Sequence, residues 1–129
     1  MKNKMIFILA LVANTAPLGL CFFYRGGAML QYPAFAIIHI LLFMLNNAAV
    51  QRSWQAILLG LIHIAVTFCT HQQMGWLYLH YVCDDNVGRA IVSFGTWVGT
   101  VWAGILSVAS LIILARKQKH PKQQSDQVL

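Results

Sequence analysis

The chain alternates long apolar runs with isolated charged residues, and the charges mark its divisions. With histidine counted as neutral, no ionised side chain falls in residues 5–24, 26–51, 53–83 or 90–115. Each window supplies the ~20 mostly apolar residues that a helix rising ~1.5 Å per residue needs to cross a ~30 Å hydrocarbon layer. Strands are a poor alternative. Backbone groups in lipid must be satisfied within a helix or a closed barrel, and no alternating segment of ~10 residues recurs. The pattern therefore predicts an all-α, polytopic membrane protein: an up-and-down bundle of four transmembrane helices at about 5–23, 33–50, 54–70 and 91–115. These make one domain, 1–116, with an outer interfacial loop at 71–89 and a polar, basic cytoplasmic tail at 117–129. Residues 74–82 allow an alternative in which the third helix runs on outward.

Orientation follows from the basic residues, because Lys and Arg in short loops resist translocation. With both termini cytoplasmic, Lys2, Lys4, Arg52, Arg116, Lys117, Lys119 and Lys122 lie inside, and Arg25 and Arg89 outside. The first window also resembles a signal peptide, with Lys2 and Lys4 ahead of an apolar stretch. Asn14 and Pro17 are unsuited to a cleavage site after Ala16, so a retained helix is expected. The location implied is the plasma (inner) membrane, with several passes.

Composition agrees with this division and narrows the classes of function. Hydrophobic residues make up 59% and charged residues 9% of the 129 positions, against roughly 25% charged in an average globular chain. A disordered chain, a disulfide-rich secreted module and an ordinary cytosolic enzyme are excluded. The net charge of +6 does not point to nucleic acid, since the basic residues sit at the ends or singly between apolar runs. No phosphate loop or activated serine constellation is present, and the loops are too small for a catalytic core.

Chemistry, if any, lies with the polar residues inside the spans. Asn14 is ten residues past Lys4, His39 eleven before Val50, and His63 eleven past Arg52, which places all three ~15–17 Å deep. His39 and Asn46 share a face of the second helix; Gly60, His63, Thr67 and His71 share one of the third. Three uses fit this midplane layer. The simplest is a set of neutral imidazoles hydrogen-bonding across helices. A second is a proton, ion or substrate path, since intramembrane ionisable residues lean towards function. A third makes His39 and His63 the axial pair of a b-type haem. Pro17 frees the carbonyl of Ala13, a break found in transporter sites and in inert spans alike.

On the fourth helix Gly95, Gly99, Ala103 and Ser107 recur every fourth residue, a stripe that permits close helix approach. It predicts a packing face towards another helix of the chain, a second copy or a different subunit. Trp97 and Trp102 lie deeper than an aromatic belt, which Trp54 and Trp76 fit better. Cys21, Cys69 and Cys83 all fall towards the outer face. Cys69, His71, His80 and Cys83 have the donor atoms of a soft-metal site, although their spacing is irregular. No cofactor is expected, with haem b or a soft metal ion as the minor alternatives. The leading expectation is a small non-enzymatic membrane protein acting through helix packing as an accessory, assembly or immunity-like subunit. Its partners would be the bilayer and a membrane protein or a second copy. The alternatives are a small dimeric transporter or ion or proton path through the midplane histidines, and a haem-carrying subunit.

Overall fold

A computed structural model describes residues 2–20, 28–82 and 84–126 and arranges them in four helices: α1 Lys2–Leu20, α2 Ala28–Ala49, α3 Ser53–Tyr81 and α4 Asn86–Asp126. Two of them, Ser53–Tyr81 and the Asn86–Lys119 part of α4, are long and apolar enough to cross a membrane. The apolar stretches Asn3–Gly19 and Phe35–Ala49 of the first two are shorter.

The helix boundaries correct part of the expected layout. Residues 71–81, read as an outer loop, continue α3. This stretch contains no proline or charge, and His71, Met74 and Gly75 prolong the buried stripe begun by His63 and Thr67, so packing of that stripe outweighs the ~1 kcal/mol that Gly75 costs the helix. The turn to α4 is confined to the acidic pair that follows. The Asp85 carboxylate accepts the Gly88 N–H at 2.6 Å, satisfying an amide at the start of α4 that has no partner within the helix. Asp84 meanwhile takes an exposed ion pair with Arg89 at 2.9 Å. At its far end α4 runs on to Asp126, through much of the segment read as a solvated tail; Arg116, Lys117, Gln118 and Lys119 are all strong helix formers. The start of α3 is held by Gln55, whose side-chain oxygen accepts the Gln51 and Arg52 amides at 2.9 and 3.1 Å. α1 passes through Pro17 without ending.

The helices occupy the corners of a quadrilateral. α3 packs most extensively on α4; α1 lies against α3 and α2, α2 also lies against α4, and among the described residues α1 and α4 do not meet. α2 and α3 touch only slightly, across the short diagonal. The small residues of α4 explain its closeness to α3. Ala103 is fully buried, and Ser107 Oγ donates to the carbonyls of Ala103 at 2.8 Å and, across the interface, Gly60 at 3.4 Å. A Cβ at Gly99 would collide with the His71 ring, and one at Gly75 with Val92.

Apolar and polar side chains share the interior, while many large apolar ones face outward, more than is usual for a water-soluble domain. An apolar cluster of Ala10, Ala49 and Leu59 is buried at one end. Asn14, His39, Asn46, His63, Thr67, Thr70, His71, Thr96 and Ser110 are buried as well. Ile8, Leu41, Leu61, Phe94, Trp97 and Val101 point outward.

Candidate functional site: a buried histidine cluster

Helix geometry brings the central histidines together. His39 lies ten residues before the end of α2 and His63 ten after the start of α3, so the short connection folds them back to one level, about 15 Å from the turn. Because α2 and α3 face each other on the diagonal, the two imidazoles reach across the middle of the assembly. His39 Nδ1 and His63 Nε2 share a hydrogen bond of 2.9 Å, one nitrogen donating and the other accepting. Their rings stack with centroids 5.1 Å apart and planes 27° from parallel. Both residues are almost wholly enclosed, at 3% and 2% exposure.

His71, two turns further along α3, joins from the other side. Its ring lies 6.2 Å from that of His39 and 5.5 Å from Phe35, while the bare backbone of Gly99 closes over it. One nitrogen of the cluster is not committed: His39 Nε2 is buried and has no hydrogen-bond partner. A buried polar atom left unpaired costs roughly 1–3 kcal/mol, so such an atom calls for an explanation.

Two spaces flank the cluster. Between α2 and α4, a partly open cavity of about 630 Å³ is bordered by Phe35, His39, His71, Phe94, Trp97 and Trp102 among others, and its walls are almost entirely apolar. On the other side, His63, Asn46, Ser107 and Ser110 border a pit of about 10 Å³, at the lower limit of what one water molecule occupies.

The remaining candidates are dispersed. Asn14 meets Asn46 rather than a histidine: its amide donates to Asn46 Oδ1 at 2.6 Å and to the Ala10 carbonyl at 2.7 Å, and Asn46 Nδ2 donates back to Asn14 Oδ1 at 3.3 Å. Of the small-residue stripe, Gly99, Ala103 and Ser107 are engaged within the chain, and Gly95 is buried beside the cavity. Cys69 is exposed with a free thiol, whereas His71, two residues on, is buried. His80 is exposed and stacks on Trp76 at 5.1 Å. Cys83, like Cys21, lies outside the described residues. Among the described residues no three His, Cys, Asp or Glu side chains converge to hold a metal ion. The place of His71 was available from its eight-residue spacing to His63; the unpartnered nitrogen and the cavity depend on interhelical distances that no spacing encodes.

Comparison of the chain with protein-family models, curated proteins and solved structures found no match.

Proposed function

We propose that this chain is a multi-pass protein of the plasma (inner) membrane, a four-helix bundle with cytoplasmic termini, and that its buried histidines form a proton path. The observation that carries this reading is the direct His39–His63 hydrogen bond, about 15 Å from the α2–α3 turn, which is half the depth of a ~30 Å hydrocarbon layer. Burial of polar groups beneath an outward apolar surface supports the membrane assignment, since it suits lipid and is costly in water.

Imidazole is suited to such a relay because it accepts a proton on one nitrogen and releases another from the opposite one. A proton taken at His39 Nε2 frees the Nδ1 proton to pass along the hydrogen bond to His63 Nε2. His63 then releases its own Nδ1 proton, and ring reorientation restores the starting tautomers. His63 borders the pit with Ser107 and Ser110, which lies on the Asn46 side of the cluster and offers the next polar groups.

Proton flux into proteoliposomes under an imposed gradient tests the path. His39→Ala and His63→Ala are each expected to lower it at least tenfold relative to wild type; equal flux in all three would refute the mechanism.

The accessory-subunit reading draws on a different observation, the outward apolar face of α4 at Phe94, Trp97 and Val101. Its strongest sequence argument, the small-residue stripe, is weakened because Gly99, Ala103 and Ser107 are engaged inside the chain. Gentle extraction from native membranes would return a stable larger complex on this reading, and a lone chain otherwise.

A further inference from the structure

The cavity between α2 and α4 has the size and lining of a ligand site. Its volume of about 630 Å³ falls within the ~300–1,000 Å³ usual for small-molecule pockets. Its wall is apolar and aromatic, with Phe35, Phe94, Trp97 and Trp102 around the two imidazoles of His39 and His71. Such a wall suits a flat, lipid-soluble ring. It gives a charged or many-hydroxyl solute nothing to bind. His39, itself 3% exposed, is one of the residues bordering this wall, and its Nε2, buried just behind it, has no hydrogen-bond partner.

The hydrogen bond behind that nitrogen determines what it can recognise. When His63 Nε2–H donates to His39 Nδ1, the His39 proton resides on Nε2, which then donates to a carbonyl oxygen. When His39 Nδ1–H donates to His63, Nε2 is a lone pair that accepts from a hydroxyl. Both states keep the 2.9 Å bond; the change from the first to the second moves both neutral rings together from the Nε2–H to the Nδ1–H tautomer, with a proton leaving His39 Nε2 and one arriving at His63 Nδ1, so the same atom serves a carbonyl or a hydroxyl.

We infer that the α2–α4 cavity binds a lipid-soluble ring carrying an oxygen that exists as carbonyl or hydroxyl, the chemistry of a quinone and its quinol, with that oxygen on His39 Nε2. The inference goes beyond the proton path and does not rest on it, because binding requires no gradient and no flux.

The test uses the full chain in mild detergent, with tryptophan emission followed while a benzoquinone bearing a ten-carbon tail is added. Trp97 and Trp102 stand in the cavity wall, so occupancy is expected to give saturable quenching. An oxygen-free ten-carbon alkylbenzene, present in excess, should not displace the quinone, whereas the matching quinol should. His39→Phe is expected to raise the apparent Kd about tenfold, the effect of losing one such hydrogen bond. Ala36→Trp, at an exposed position on the cavity rim, should abolish saturation by filling the space while leaving the histidines in place. Quenching that rises linearly without saturating, or that survives Ala36→Trp unchanged, would overturn the inference, as would displacement by the alkylbenzene. Saturable binding in a protein without proton flux would remove the conduction reading alone.

Discussion

Two polar pairs lie in the interior, and they use burial differently. Asn14 and Asn46 donate to each other, and the Asn14 amide also bonds the Ala10 carbonyl; the Asn14 nitrogen has spent both its protons inside the protein. His39 and His63 share a single bond, and His39 retains a nitrogen without a partner. The first pair closes on itself and acts as a clamp between α1 and α2. The second joins α2 to α3 where those helices hardly touch, and leaves bonding capacity unspent beside a cavity. Burial is nearly the same in both, although Asn46 lies two turns from His39 along α2. Satisfaction of the polar atoms, more than their position, separates a structural pair from one available for chemistry.

The contrast can be broken most forcefully at Gly99. A valine there would drive its Cβ into the His71 ring, and a packed interface relaxes only partly; we expect a loss of about 3 kcal/mol in detergent unfolding, together with loss of flux and ligand binding. Wild-type stability in Gly99→Val would mean that α4 does not sit so close to the histidine layer. Next in size is Asn14→Leu, which leaves Asn46 without its amide partner. The expected cost is about 2 kcal/mol, with quinone affinity unchanged, because the clamp takes no part in the cavity; Asn46→Leu added to it should restore part of the loss in a double-mutant cycle. A fall in affinity in Asn14→Leu would merge the two layers into one. The smallest stability change is expected for His39→Phe, about 1 kcal/mol, since the ring's volume is roughly kept and its unpartnered nitrogen is removed. If that variant unfolds as readily as Asn14→Leu while retaining full flux and ligand affinity, the histidine pair is a clamp too.

Much of this arrangement is legible in the sequence because helices convert residue counts into heights. Counting from charged ends puts His39 and His63 at one depth, and in the structure the short turn brings their rings into contact. The same count groups Asn14 with them, yet Asn14 sits on α1, and the face it presents leads to Asn46, two turns from His39. Lateral position depends on which helices are neighbours. The end of α3 was obscured for a different reason: residues 53–83 carry no charge, so hydropathy has nothing to mark where the helix stops. The turn is set instead by Asp85 capping α4. Cys69 and His71, two of the candidate metal donors, lie about 200° apart around α3 and face different surroundings.

The length of α4 has a practical consequence for imaging. At 41 residues it measures about 61 Å, twice a hydrocarbon layer, so on the proposed membrane reading one end would stand clear of detergent or lipid. A 14.4 kDa protein gives little signal for aligning single-particle images. A larger helical protein joined in register after Lys119, ahead of Pro121, would be carried by α4 with little swivel, giving the histidine layer a fixed landmark large enough to align on.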